Sequence, residues 1–526
     1  MWLLHAILAI AIALEIQVSA GNGLNHQRTL SDAPPLRLHV TFKRKSVHLH
    51  GYSEFDVFAS PVVSSNGTTV MYDSYATFID GNTSFTCSFI NGAGYLSVEI
   101  DGVQRVECLP SSSFLLESIL PILNEAAIIS SASVDNEAIK CPAGNLLKTT
   151  LAGVHFIICA AGERGFTVYD TDMMIEVKYL ANPFEIQKPS DTLLCGSDTT
   201  PMSVTPTTLA LLTGNKIPVS NKRQLKPAEH MFLDGPSCKC KSTPRPCVFF
   251  HGIGNPNEME ELQDTPDNTN KRMGNMNDHA PCCTDVKYAV LNTVDFSWTD
   301  DSLQQKFCDR ALRLSDTSDV KAGVIKDTVI VTHSMGGLVM SMALATGKCS
   351  FGEGASWVAI STPMTGSMAA DYLQGCCNGE NNFIMNNLME WLGKCPVSAS
   401  RLDMMYENEK YASDELNAAY VLAQEAYRGN VSAAMCSNDY DGVFSVMYEA
   451  KFILMGSIIL PHKSPENDGL VEFQSCAKGL DESLFGTSYK DKFYKPRLNH
   501  ADTAFLTGDG LFKDAQKPMK WFECLL

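Results

Sequence analysis

The stretch from Thr328 to Ala345 constrains this chain more than any other. Thr328-Val329-Ile330-Val331-Thr332 is a short β-branched run that ends at His333-Ser334-Met335-Gly336-Gly337. The following Leu338-Val339-Met340-Ser341-Met342-Ala343-Leu344-Ala345 is apolar and long enough for a buried helix. The pattern is strand, sharp turn, helix. A serine at the tip of such a turn presents its Oγ, and its neighbours have to be small because the strand and helix backbones nearly touch. That is the geometry of a nucleophile elbow, with Thr332 standing where the G-x-S-x-G pattern has its first glycine. A buried strand-to-helix junction that merely contains a serine fits the same residues, so other parts of the chain have to decide.

The chain is long enough to bury two cores, with 526 residues of which 45% are hydrophobic. Its 59 acidic and 41 basic side chains give a formal charge of −18, which argues against a nucleic acid partner. Residues 1–20 have an apolar centre and end in Val18-Ser19-Ala20, as a secretory signal peptide does, although the start lacks Lys or Arg and Glu15 follows the apolar run closely. An uncleaved anchor is the other reading. No later stretch reaches spanning length, since Phe114 to Ala132 is interrupted by Glu117, Asn124 and Glu125, so a soluble mature chain without a transmembrane segment is expected. Eighteen cysteines behind a signal peptide predict disulfides rather than metal ligands, because Cys238-x-Cys240, Cys282-Cys283 and Cys376-Cys377 lack zinc spacing. Sequons at Asn66, Asn82 and Asn430 fit the same route, to the secretory lumen or the outside.

In chain order, residues 21–35 read as a flexible leader and 36–200 as a β-rich domain. Leu36–Phe42, Thr68–Tyr72, Tyr95–Ile100, Val154–Ile158 and Phe166–Tyr169 alternate or cluster like strands, separated by Gly, Asn and Asp. A helical segment, Phe114–Pro121, could cover one face of that sheet. Residues 201–246 form a connector ending in a cysteine cluster, and 247–526 form a second domain. It opens on a buried strand that breaks into His251-Gly252-Ile253-Gly254, followed by another strand-like stretch from Ala289 to Phe296. Trp357–Pro363 is a further strand. Residues 369–443 read as an insert in cap or lid position, in which Phe383, Ile384, Leu388, Met389, Trp391 and Leu392 recur at helical spacing. Lys451–Leu460 and Asp491–Leu498 are late strand candidates, each followed by a polar loop: Glu466-Asn467-Asp468-Gly469-Leu470-Val471 and Asn499-His500-Ala501-Asp502. Asp441 and His462 compete with Asp468 and His500, while His251 and His333 read as parts of their own loops.

The elbow, the H-G-x-G turn, N-D-G-L-V and N-H-x-D together resemble the bacterial triacylglycerol lipases, within the lipase and esterase branch of the α/β-hydrolases. The likeness is local to the second domain. It implies an α/β-hydrolase fold, a mostly parallel sheet with helices on both faces, behind a smaller and mainly antiparallel β domain. It also implies Ser334 as nucleophile, His500 as base then acid, and Asp468 as the residue that orients the imidazole. The backbone N–H groups of Ile253 and Met335 would form the oxyanion hole. The chemistry would need no cofactor, but Asp502 stands where those lipases have a calcium ligand, so a structural calcium is carried as an expectation. The expected activity is hydrolysis of carboxylic esters of lipids or other hydrophobic acyl groups, with peripheral contact to a lipid surface. Acyl thioesterases and glycolipid deacylases share such a core, and a catalytically silent binding protein is the rival from another class.

Overall fold

The computed structural model describes residues 28–47, 52–109, 119–134, 136–142, 144–151, 154–189, 195–197, 200–218, 229–233, 238–380, 395–440, 442–443, 460–510 and 513–526. The expected signal peptide, residues 114–118 of the expected helix, the apolar positions 383–392 of the insert, Asp441 and the strand expected over 451–459 lie outside the described residues.

Period-two alternation builds the first half of the chain. Strands β1 (Leu36–Phe42), β2 (Glu54–Val63), β3 (Thr69–Asp80), β4 (Thr83–Ile90), β5 (Ala93–Ile100) and β6 (Val103–Leu109) are joined in sequence. β7 (Ala127–Ile129), β8 (Asn145–Leu151), β9 (Val154–Ala160), β10 (Phe166–Tyr169) and β11 (Met173–Tyr179) follow. They form one antiparallel sheet in the order β6-β5-β4-β3-β2-β1-β11-β10-β9-β8-β7, with Met202–Ser203 added beside β3. Along β1, Leu36, Leu38, Val40 and Phe42 are buried and the residues between them are half exposed. Helix α1 (Ile119–Asn124) adds Leu120 and Leu123 to that core, and α2 (Pro206–Thr213) adds Ala210, Leu211 and Leu212.

The second half is α/β. Strands β12 (Arg245–Phe250), β13 (Cys283–Ala289), β14 (Val329–His333), β15 (Ser356–Ile360), β16 (Ala433–Met435), β17 (Phe485–Gly486) and β18 (Phe493–Tyr494) make a sheet of order β13-β12-β14-β15-β16-β18-β17. All its pairings are parallel. Its main helices are α3 (Asp301–Leu312), α4 (Met335–Ala345), α5 (Met368–Cys377), α6 (Asp414–Asn430), α7 (His500–Thr503) and α8 (Pro518–Leu525). Val248, Phe250, Ile330, Trp357 and Ala359 face a cluster that includes Phe307 of α3, Leu338 of α4 and Tyr427 of α6. The alternate residues Phe249, Val329, Val331, Val358 and Ile360 face Met519, Trp521 and Phe522 of α8. Burial on both faces is why these strands read as continuous apolar runs.

Two expectations are corrected here. The strand placed at Ala289–Phe296 lies earlier, at β13, where Asp285 and Lys287 interrupt the apolar pattern. Val290 and Leu291 are buried beyond its end. The insert at 369–443 does not extend to 443: β16 pairs with β15 inside the main sheet, and Tyr420, Ala423 and Tyr427 of α6 are core. Three residues, Ala-Ala-Met, are too few to show a period.

Eight disulfides join sixteen of the eighteen cysteines. Cys108–Cys195 and Cys141–Cys159 lie in the antiparallel half. The cysteine cluster of the connector attaches to the α/β half through Cys238–Cys524 and Cys240–Cys282, beside Cys247–Cys283. Such a count fits an oxidising compartment. Among the described residues no helix is long and apolar enough to cross a membrane.

The two halves meet on a buried ionic cluster. Arg44 and Asp172 come from the antiparallel half, and Asp509, Lys517, Lys520 and Glu523 from the C-terminal segment. Lys520 Nζ lies 2.7 Å from Asp172, which Lys517 also contacts. Arg44 stands 3.0 Å from Asp509 and 2.9 Å from Glu523, at ion-pair distance but without the alignment of a hydrogen bond to either. Burial alone would raise the Asp172 pKa; Lys517, Lys520 and Arg44 outweigh it and bring it to about 2.

Asp172→Asn leaves two buried lysines without their carboxylate, so it should destabilise the chain by about 3–5 kcal/mol. Thermal unfolding of wild type and variant measures this. Because the folded value lies below the ordinary 3.8, the Asp172 contribution is complete above that pH and is lost as pH falls toward 2. The gap between the two proteins should therefore narrow only in strong acid.

Candidate active site

β14 lies inside the parallel sheet with β12 and β15 on either side, and Ser334 is the first residue beyond it. The chain must reverse there from strand into α4, and Ser334 takes φ 55° and ψ −132° to do so. Such a conformation costs a side-chain-bearing residue about 1–3 kcal/mol and persists only where the surroundings hold it. Ser334 N–H donates to the Ile360 carbonyl at 2.8 Å. A Cβ on Gly337 would stand 2.1 Å from Thr362 Oγ1, and one on Gly252 would stand 2.7 Å from Ser334 Cβ. These contacts explain the small residues of the turn. Thr332, in place of the first glycine, is buried in the strand and its Oγ1 accepts from Trp357 Nε1 at 2.9 Å.

The structure brings Ser334, His500 and Asp468 together. Ser334 Oγ–H donates to His500 Nε2 at 2.9 Å, and His500 Nδ1–H donates to Asp468 Oδ2 at 2.8 Å. Having Nδ1 on the carboxylate fixes the tautomer and leaves the Nε2 lone pair for the serine. Asp468 Oδ1 accepts from Leu470 N–H at 3.0 Å and Val471 N–H at 2.8 Å, while the Asp468 carbonyl accepts from His500 N–H at 2.9 Å. All three side chains are buried. The segment after β15 also supports the acid loop: Ser367 caps α5 and its Oγ donates to the Leu470 carbonyl at 2.6 Å. Met364, beside it, is fully buried core.

Among the described residues, the side chain of Asp502 meets backbone N–H groups and one hydroxyl. Oδ2 accepts from Val443 N–H at 2.6 Å and Oδ1 accepts from the Thr507 hydroxyl. With Asn499, whose side chain accepts from Ala501 and Asp502 N–H, it completes a capping box on α7, the helix that begins at His500. Burial pushes its pKa up to about 7. Among the described residues no group of three or more His, Cys, Asp or Glu could hold a metal.

A cavity of about 640 Å³ opens over Ser334 and His500. Ile253 lines it. The Gly252 carbonyl accepts from His251 Nδ1 at 2.8 Å and Thr293 Oγ1 at 2.9 Å, which turns the Ile253 N–H away from both. Met335 opens α4, where first-turn N–H groups have no partner within the helix. Lys271, Arg272 and Arg401 also line the cavity, and no motif in the sequence marks them. His462, the competing histidine, is bound to Glu472 at 3.2 Å.

His251 and His333 sit in the loops of the site. His251 Nε2 accepts from Leu291 N–H at 3.2 Å, and burial holds its pKa down at about 4. His333 Nε2–H donates to the His500 carbonyl at 3.2 Å, with ring centroids 4.7 Å apart. Burial first, then the neighbouring His500, keeps His333 well below the usual histidine range.

No family model matches the chain, and no curated protein matches it in sequence. Among solved structures it is similar to the Staphylococcus hyicus lipase, at 13% identity over 54% of this chain and 94% of that one, with a TM-score of 0.28. Lipase 1 from Pelosinus fermentans gives 14% identity over 54% and 97%, also at 0.28. An acylaminoacyl peptidase in complex with Z-Gly-Gly-Phe-chloromethyl ketone gives 12% over 77% and 70%, at 0.20. At such scores the chemistry has to be argued from the site itself.

Both buried histidines are neutral in the fold and charge in the unfolded chain near pH 6.5, so the unfolded state binds more protons between that value and about 4. The unfolding temperature should fall as pH drops through this window. His333→Gln removes one of the two groups and should flatten the slope. A variant with an unchanged slope would remove His333 from this account.

Proposed function

We propose that this chain is a serine hydrolase of α/β-hydrolase type that cleaves carboxylic esters of lipids or other hydrophobic acyl groups in a secretory or extracellular setting. The observation that carries the reading is the hydrogen-bonded line Ser334–His500–Asp468 opening on the cavity. His500 Nε2 takes the Ser334 proton as Oγ attacks the acyl carbon, and Asp468 stabilises the imidazolium that forms. The tetrahedral oxyanion is met by the N–H groups of Ile253 and Met335, with the positive end of α4 behind the second. Collapse breaks the ester C–O bond, and His500 returns its proton to the leaving alkoxide. Water, deprotonated by His500, then hydrolyses the acyl-serine and restores Ser334.

The apolar part of the cavity, with Leu373, Leu470, Val471 and Leu506, supports an acyl chain as the group bound beside the serine. The eight disulfides support the oxidising compartment.

A fluorophosphonate probe should label the wild type and not Ser334→Ala, as read by intact mass. Asp468→Asn should lower kcat by about 10⁴, the scale seen when such an acid loses its charge. Inert wild-type protein of confirmed fold would sink the reading. On p-nitrophenyl esters, kcat/KM should climb from acetate to octanoate. Each methylene removed from water contributes about 0.8 kcal/mol, or about fourfold. Leu373→Asp should flatten the climb, and fastest turnover on acetate would exclude a hydrophobic acyl site.

A further inference from the structure

The cavity over Ser334 is apolar along one side and cationic along another. Lys271, Arg272 and Arg401 line it, and among the described residues no aspartate or glutamate does. Elsewhere in the fold Arg37, Arg44 and Arg497 each lie within 3.0 Å of a carboxylate. Among the described residues Arg272 has no acceptor for its guanidinium, and its Nε is buried. Arg401 reaches one neutral oxygen, Ser398 Oγ, at 3.3 Å. Both residues line the same cavity, and burial first, then the charge of Arg272, lowers the Arg401 pKa. Two partly desolvated like charges with no counter-ion among the described residues are unfavourable unless something anionic joins them.

Arg401 lies on the short helix Ala399–Leu402, and the loop that carries Lys271 and Arg272 is held in place by its own backbone. Asn270 and Lys271 take φ 52° and 55°, two consecutive left-handed residues that are not glycine. Asn270 Nδ2 donates to the Gly254 carbonyl at 3.3 Å, and Arg272 N–H donates to the Thr269 carbonyl at 3.1 Å. Arg272 thereby lies against the Gly252–Gly254 turn: a Cβ on Gly254 would stand 3.3 Å from its Nε and Nη2. Its charge is felt by His251 and His333 on either side of the serine. An anion held there would lie near the reacting carbonyl, not at the far end of an acyl chain. A chain of formal charge −18 repels anions in general, which makes this local reversal selective.

We propose that the ester substrate carries an oxyanion, phosphate or carboxylate, close to its scissile bond, and that Arg272 and Arg401 bind it with Lys271 at the mouth. This rests on the catalytic reading given above. The test compares dioctanoylglycerol, dioctanoylglycerol phosphate and dioctanoylglycerol hemisuccinate below micelle formation, by fatty acid release from the full chain. At least one anionic ester should exceed the neutral one in kcat/KM by about tenfold or more, the scale of a charge-assisted hydrogen bond. Which of the two does so identifies the anion. That ratio should fall toward one in Arg272→Gln and in Arg401→Gln, with Arg272→Lys retaining more of it than Arg272→Gln. Equal turnover of all three esters, or a preference that survives both glutamine variants, overturns the proposal. No hydrolysis of any ester by protein that still labels at Ser334 overturns the substrate assignment alone. Absence of labelling as well overturns the catalytic reading beneath it.

Discussion

The backbone strain at Ser334 is the constraint on which the rest of the site depends. A serine at φ 55° and ψ −132° stays there because the parallel ladder fixes β14 on both sides and Gly252 and Gly337 let neighbouring chain approach to contact. The same ladder sets the positions of the other parts. β12, β14 and β15 all end on one edge of the sheet, so their C-terminal loops, carrying Gly252–Gly254, Ser334 and Ser361–Ser367, converge there. Asp468 and His500 come later in sequence and are tied to that edge by backbone bonds: His500 N–H reaches the Asp468 carbonyl, and His333 reaches the His500 carbonyl.

The antiparallel half meets this arrangement through charge. Arg44, Lys517 and Lys520 face Asp172, Asp509 and Glu523, with Ser46 and His279 hydrogen-bonded at the margin. An apolar seam of equal volume could stabilise as well. An ionic one is less tolerant of slippage, since a small displacement leaves a buried charge without its partner. α8, which carries Lys520 and Glu523 and is preceded directly by Lys517, also packs Trp521 and Phe522 under the parallel sheet. One helix therefore serves both contacts.

Much of the site was legible because its motifs are local and each has a steric or hydrogen-bonding cause. The glycines after Ser334 mark close backbone approach, and N-H-x-D marks a capping box that aims His500. That second meaning was missed: among the described residues Asp502 accepts bonds from Val443, Asn499 and Thr507. β13 and β16 were misplaced or unseen because edge charge and a length of three residues erase the period on which a strand is recognised. Arg272 and Arg401 were invisible for a different reason. Their meeting, from positions 129 residues apart, is a fact of tertiary structure that no window of sequence contains. The alternating pattern of the first half marked β1, β5, β9, β10 and the start of β3, whereas the other strands and the adjacency of β1 and β11 follow only from the folded sheet.

The staple between Cys238 and Cys524 spans 286 residues and encloses Ser334, Asp468 and His500. Any single peptide bond cut inside that span leaves one covalent molecule. Processing of this chain by an internal protease would thus leave its migration on a non-reducing gel close to that of the intact protein, and two fragments would separate only after the thiols are regenerated. Ser334 would fall on one fragment and His500 on the other whenever the cut lay between them, yet the two would remain tethered at the concentration the fold imposes.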